Sequence, residues 1–248
     1  MLKSILIAIP TTSQQMLATT ALSVAAVTRT LTQAGFNVGL HNIDSAEIVT
    51  ARDMFANMVL HSDNWDGLLF VDSDMSFSPR LVERMLALDE QLVAAAYPRR
   101  ALNLTAFAGS VRQHGDIDKA LAEASTFTLK LSWELDPRKV ELREGFCQAA
   151  AVGMGCALIS RSALQEMVAE NQVRPRLDLK SSEGATCYSF FEPLELNGER
   201  LGEDYSFCYR WTSRLGKKLW ICVDEQVSHV GQFEFTASFK NLLTPNPT

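Results

Sequence analysis

The chain has 248 residues, 47% of them hydrophobic and 21% charged, with a formal net charge of −6 at pH 7. That balance excludes a disordered or low-complexity chain and supplies enough apolar side chains for a sizeable core. The negative net charge gives no global attraction to nucleic acid, although a local basic groove remains compatible with it.

Five cysteines (Cys147, Cys156, Cys187, Cys208 and Cys222) are scattered without a C-x-x-C pair. An odd number without zinc spacing predicts free, mostly buried thiols in a reducing compartment. The opening "MLKSILIAI" sets a lysine before an apolar run, but Pro10 and "TTSQQ" end that run after about five residues. A secretory leader needs roughly 7–15 apolar residues and a membrane span roughly 18, so the expectation is a soluble, cytoplasmic protein.

In chain order, "SILIAI" is a continuous apolar run, as expected of a strand covered on both faces. Leu17, Ala21, Val24 and Leu31 then recur near helical spacing until Gly35, and "NVGL" predicts a second strand. "DSAEIVTARDMFANMVL" carries Ile48, Ala51, Phe55, Met58 and Val59 on one helix face, and Asp44 with Glu47 predicts a capping box at its start. "GLLFVD" is a third strand, Ser78-Pro79 opens a helix with proline at its first position, and "QLVAAAYP" is a fourth strand. This alternation predicts an α/β fold with a central, mainly parallel sheet and helices on both faces.

Residues Asn103 to Gln113 read as loop and strand, and "FTLKLSWEL" with "KVELRE" as two strands around Asp136-Pro137. "AAAVGMGCALISRSAL" returns to strand, glycine break, strand and helix. The segment from Val173 to Arg200 is mixed, with turn signals at "SSEG" and "LNGER". "EDYSFCYRWTSRLG" reads as a helix closing on Gly216, "KKLWICVD" as a late strand followed by "VSHVGQF", and "LLTPNPT" as a loose tail. Without a repeat or a clear linker, the chain is expected to be one domain. Its nucleotide-binding half would span about 1–100 and its acceptor and catalytic half about 101–235, with the tail at 236–248.

The chemistry concentrates in "FVDSDMS". Ligands in parallel α/β sheets sit outside the carboxyl ends of the strands, where Asp72 and Asp74 would stand. Two carboxylates so close repel each other unless a proton or cation intervenes, and Mg²⁺ or Mn²⁺ bridging a diphosphate would serve. A surface turn also favours Asp and Ser, so the motif alone leaves both readings open. Downstream, "GEDYSFCYRW" holds Glu203 and Asp204 at a helix start, where the dipole alone favours them, and "SHVG" holds His229 after a strand.

With "AAAYPRR" and "AVGMGCALISRSAL", these strings resemble the nucleotide-sugar glycosyltransferases of the A-type fold, nearest to bacterial and phage proteins of the family 2 kind. "AIPTT" and "IVTARDMF" are fainter likenesses to the mannan-polymerase (Anp1-like) group. The resemblance runs from about Ile5 to Gly231, with little between Leu102 and Arg143; the order of the motifs is its specific part. It implies a single Rossmann-like domain of the glycosyltransferase-A type that moves a sugar from a nucleoside-diphosphate sugar to an acceptor hydroxyl.

Residue by residue, the resemblance implies Asp74 as metal ligand and Asp72 on the ribose or a metal-bound water, with Ser73 between them at the nucleotide and His229 as third ligand. Imidazole beside carboxylate favours Mn²⁺ over a purely oxygen site. Pro10, Thr11 and Thr12 would hold base and ribose, and Arg52, from an "A-R-N"-like motif, would face the nucleotide. Asp53 replaces the motif's asparagine, which puts that pair's role in doubt. Arg100 stands where "Y-P-x-K" has lysine and would hold phosphate through a planar fork. Asp204 of the Glu203-Asp204 pair would take the acceptor's proton with inversion of the sugar. Gly153 and Gly155 would permit close backbone approach, and Trp211 and Trp220 either stack on sugars or belong to the core.

A glycan, a lipid-linked saccharide, a protein and a modified nucleobase all remain open as acceptor. The main alternative is a haloacid-dehalogenase-type phosphatase, with Asp72 as phosphoryl nucleophile. A full βαβα unit before the motif counts against it. A non-catalytic nucleotide- or glycan-binding protein of the same fold is the other.

Overall fold

A computed structural model of the protein describes residues 2–133, 141–181 and 184–231. The chain opens with strand β1 (Ser4–Thr11), helix α1 (Ala18–Gln33), β2 (Asn37–Asp44), α2 (Ile48–Leu60) and β3 (Gly67–Val71). It continues through β4 (Met75–Phe77), α3 (Pro79–Ala87), β5 (Leu92–Ala95), β6 (Pro98–Leu102), α4 (Leu104–His114), α5 (Ile117–Ala124), β7 (Ser125–Phe127) and β8 (Leu129–Lys130). Then come β9 (Phe146–Ala149), β10 (Ala151–Val152), β11 (Cys156–Ser160), α6 (Arg161–Ala169), β12 (Pro175–Lys180), β13 (Thr186–Tyr188), β14 (Glu195–Leu196) and β15 (Glu199–Arg200). Helix α7 (Glu203–Tyr209) runs into a π-helical turn, Arg210–Arg214, before β16 (Leu219–Cys222) and β17 (Val227–His229).

Among the described residues the main sheet has seven strands in the order β2-β1-β3-β11-β5-β16-β9. Strands β2, β1, β3, β5 and β16 share one direction, and β11 and β9 run against them. The expected mainly parallel α/β sheet is therefore present. The apolar runs follow from it, because every central strand feeds two cores. Leu6 and Ala8 of β1, Leu68 and Phe70 of β3, and Leu92 and Ala94 of β5 face one cluster with Phe55, Ala56, Val59, Leu164 and Phe207. Ile5, Ile7 and Ile9, Leu69 and Val71, and Val93 and Ala95 face the other, with Val24, Val27, Leu31, Leu81 and Met85. Helices α2, α6 and α7 thus cover one face, and α1 and α3 the other. Each fully buried Ile or Leu contributes roughly 1.5–3 kcal/mol.

Smaller pairings shape the loops at the carboxyl edge: β4 with β17, β6 with β7, and β8 with β10. Farther along, β12 pairs with β13 and β14 with β15.

Two expectations need correction. Asp44 does not cap α2; it ends β2, and Glu47 is the N-cap without a side-chain hydrogen bond. Residues Leu104–His114 are helical, not loop and strand: Asn103 accepts from the Ala106 N–H at one end, and Gly115 closes the other at φ 67°. Of the two readings left open for Trp211 and Trp220, the core one holds, since they are 1% and 6% exposed. All five cysteines are free and buried. Of the two strands expected around Asp136-Pro137, the first is present only as the short β7 and β8, and residues 141–144 of the second form no strand beyond a single bridge from Arg143 to Phe146. The stretch between, the "SSEG" turn in part and the loose tail lie outside the described residues. Among those described, no helix is long and apolar enough to cross a membrane.

Candidate functional site

The carboxyl ends of β1 and β3 open onto a cleft of about 990 Å³ lined by Pro10, Thr11 and Thr12, by Asp72, Ser73 and Asp74, and by Arg100. Each side chain reaches it for a local reason. Pro10 and small polar residues can end β1 because its pairing with β3 stops at Ala8, while β2 still pairs through Thr11. There the Thr11 hydroxyl donates to Asp44 Oδ1 at 3.2 Å, and Asn42 Nδ2 donates to Thr11 at 2.8 Å. The Asp72 N–H donates to the Gly155 carbonyl at 2.9 Å, which holds the acidic loop against the turn before β11. The Ser73 carbonyl accepts from the Leu17 N–H and the Thr20 hydroxyl, which fastens the loop to the start of α1.

The β4–β17 ladder sets His229 opposite Met75, immediately after Asp74. The His229 Nδ1–H donates to the Pro98 carbonyl at 3.0 Å, which turns Nε2 toward Asp74 Oδ1 at 3.5 Å. Arg100 covers the other oxygen, with Nη1 2.9 Å from Asp74 Oδ2. Burial works to raise the Asp74 carboxyl, but His229 and then Arg100 outweigh it and hold the pKa low. The reciprocal bond to Asp74 raises the His229 ring.

Asp72 is neutralised differently. Arg52 is 2% exposed and lies under the acidic loop, with Nη2 at 3.1 and 3.3 Å from the two Asp72 oxygens. Its Nε stands 3.2 Å from Asp204 Oδ1, close enough for an ion pair but not aligned as a hydrogen bond. The guanidinium also rests over Phe70 at 5.1 Å and Phe191 at 6.0 Å, an aromatic cradle that suits a planar cation. Burial would lower its pKa, but Asp204, Asp72 and Glu203 hold it above its usual value. Asp204 Oδ2 accepts from the Met154 N–H at 2.9 Å. Burial pushes the Asp204 carboxyl up to about 7, with Arg52 opposing and Glu203 and Asp72 reinforcing. A cation beside a carboxylate normally keeps it acidic. Here burial and two neighbouring acids outweigh one guanidinium already shared with Asp72.

The site residues expected from sequence therefore fall into two groups. Pro10, Thr11, Thr12, Asp72, Ser73, Asp74 and Arg100 line the cleft, with His229 directly behind Asp74. Arg52 and Asp204 do not line it; buried Arg52 and half-buried Asp204 form a layer beside it, joined to it through Asp72. Glu203 is half-buried at the start of α7 and makes no hydrogen bond or ion pair among the described residues. Asp53 faces away, held by Arg176 Nη1 at 2.8 Å and the Phe191 N–H at 2.8 Å, so it secures β12 and the 190–192 loop.

Among the described residues no three metal-ligating side chains converge. Asp74 and His229 do present a suitable pair: an imidazole whose other nitrogen is fixed by a carbonyl, aimed at a carboxylate. Two acceptor atoms facing each other need a proton or a cation between them, so this pair fits a divalent metal. Asp72, committed to Arg52, completes no triad.

Two residues escaped the sequence reading. Asp44 buttresses Thr11 and accepts the Gln14 N–H at 2.8 Å; its position at the end of a strand beside β1 was the available signal. Tyr97 accepts the Gly155 N–H at 3.1 Å, and a Cβ at Gly153 would stand 2.0 Å from its hydroxyl. The two glycines thus admit Tyr97 and, at Gly155, the Asp72 carboxylate, which a Cβ there would meet at 3.0 Å.

No protein-family model and no curated protein matches the chain. Among solved structures it is similar to GalNAc-T7 with UDP, GalNAc and Mn²⁺, at 13% identity and a TM-score of 0.49, over 94% of this chain and 45% of that one. It is also similar to a mutant Drosophila β-1,4-galactosyltransferase 7 in complex with manganese, UDP-Gal and xylobiose. That match has 11% identity and a TM-score of 0.42, over 98% and 80% of the two chains. The protein A197 from STIV matches at 13% identity and a TM-score of 0.48, over 92% and 86%.

Proposed function

We propose that the protein is a metal-dependent glycosyltransferase that takes a sugar from a nucleoside-diphosphate sugar and passes it to an acceptor hydroxyl with inversion. The observation that carries this reading is the meeting of Asp72, Asp74 and Arg100 with Pro10–Thr12 in one cleft at the carboxyl edge of the sheet, with His229 behind Asp74. Base and ribose lie along Pro10–Thr12, and Arg100 exchanges Asp74 for a diphosphate oxygen. Asp74 and His229 would hold the Mn²⁺ or Mg²⁺, whose chemistry when bound would be to offset negative charge on a diphosphate leaving group. Asp204, with its pKa near working pH, takes the proton of the attacking hydroxyl while Arg52 and the Met154 N–H fix its orientation. Glu203 beside it keeps the local field negative and favours proton uptake.

The phosphatase alternative asks Asp72 to be a nucleophile. Both its oxygens accept from a buried guanidinium, which weakens them for attack.

The test is a thermal-shift panel of UDP, GDP, CDP and their common sugars, with and without Mn²⁺, on the wild type and Asp74→Ala. One nucleotide at about a hundred times its dissociation constant should add roughly 2.7 kcal/mol with metal, and nothing in the variant. Asp204→Asn should keep that shift while transfer and donor hydrolysis fall by about 10²–10⁴. If no nucleotide moves the midpoint, the donor reading is wrong; if Asp204→Asn stays fully active, the base is misassigned.

A further inference from the structure

A second polar cavity lies at the far end of α7. The π-helical turn Arg210–Arg214 is closed by the Leu215 N–H donating to the Arg210 carbonyl at 3.1 Å. Such turns recur where a helix must place a particular side chain. Here Arg210 and Arg214 line a cavity of about 320 Å³ together with Gln172 and Arg174.

Arg210 is 3% exposed, and it has no ion pair among the described residues. Its guanidinium donates to the Phe190 carbonyl at 3.3 Å and the Glu192 carbonyl at 2.7 Å, and its remaining N–H groups have no carboxylate to meet. Burial, then Arg214, lowers its pKa to about 10, against the pull of Glu192 and Asp53. Arg214 is exposed, stands 5.8 Å from the Tyr209 ring and makes no ion pair among the described residues. Two carboxylates share the lining. Glu192 is taken by Arg174, with Nε 2.6 Å from Oε2, and Glu195 is exposed at the start of β14. Three guanidiniums therefore face two carboxylates, one of which is already engaged. The buried Oε1 of Gln172 also lacks a partner, while its Nε2 donates to the Glu170 carbonyl at 2.9 Å.

We propose that this cavity binds a phosphoryl group, held by the buried fork of Arg210 and by Arg214, with Arg174 at its edge. A buried cation without a counter-ion is costly, so an incoming anion relieves a standing penalty. Arginine forks match phosphate oxygens in pairs, and a dianion suits two unpaired cations better than a carboxylate does. The cavity has about a third of the volume of the main cleft, so it takes a phosphoryl group with a small substituent rather than a second nucleotide sugar. The assignment does not depend on glycosyl transfer in the main cleft.

Calorimetric titration of the full chain with inorganic phosphate and with phenyl phosphate tests it. Arg214→Ala removes an exposed, unpaired side chain, so its urea midpoint should stay at the wild-type value while phosphoryl binding weakens about tenfold or more. Arg210→Lys keeps the charge, loses the fork and should weaken binding similarly. Arg100→Ala, which strips the cation of the main cleft, should leave this binding in place. Tighter phenyl phosphate would identify an ester-bearing ligand, and tighter inorganic phosphate the free anion; both fit the site. The proposal fails if the wild type shows no saturable binding. It also fails if Arg214→Ala binds normally, or if Arg100→Ala abolishes what Arg214→Ala retains.

Discussion

Arg52 carries more of this site than any other side chain, because one buried guanidinium neutralises both Asp72 and Asp204. Removing one partner of a buried pair leaves the other charge uncompensated, at about 3–5 kcal/mol. Arg52→Met should therefore lower the urea unfolding free energy by about that much, and Asp204→Asn in the same background should restore part of it. A loss below about 1 kcal/mol would mean that the two acids take up protons freely and that the guanidinium is dispensable. The two aspartates were legible in "FVDSDMS", since polar residues leaving an apolar strand stand out. The burial of Arg52 was half legible: it is four residues after Ile48 and three before Phe55, on the apolar face of α2. A charge on that face points to buried partners, but the partners lie 20 and 152 positions away in the chain, where spacing carries no information.

At the scale of elements, runs covered on both faces, such as β1, β3 and β5, declared themselves through unbroken apolar sequence. Strand direction did not, because β11 reads like its parallel neighbours yet runs against them. Helix α4 was missed although Asn103 and Gly115 bracket it as caps, since its polar and apolar residues are mixed around an exposed surface. Two glycines test this local reading with opposite signs. At Gly153 a Cβ would meet the Tyr97 hydroxyl at 2.0 Å and Thr128 at 2.8 Å, so Gly153→Ala should destabilise by about 1–3 kcal/mol. Gly109 lies inside α4 with nothing within 4 Å of a new Cβ, so Gly109→Ala should stabilise by about 0.5–1 kcal/mol. Urea curves of both variants check the pair; equal shifts of one sign would contradict the packing around Tyr97.

For the molecule as a whole, the buried acids impose a pH dependence that a sequence reading could not supply, because it arises from depth rather than residue type. Burial raises Asp53 to about 6 even though Arg176 bonds it, and raises Asp204 to about 7. An unfolded aspartate titrates near 3.9, so between about pH 4 and 7 the native chain binds more protons than the unfolded one. Unfolding free energy then falls as pH rises through that window. His229, raised by Asp74, adds a loss of the same sign above about pH 6.5. The depressed acids, Asp66, Asp74, Asp178, Asp224 and Glu192, act elsewhere: their contribution is present above about pH 4 and disappears as pH falls below it. Stability should therefore peak near pH 4–5 and decline toward neutrality. Asp53→Asn should flatten the lower part of that decline and Asp204→Asn the upper part, in urea titrations at closely spaced pH. A wild-type curve that is flat or rising from pH 4.5 to 7.5 would show that Arg52 and Arg176 hold both aspartates ionised. Asp204 would then carry a permanent charge and lack the proton affinity expected of a base at neutral pH.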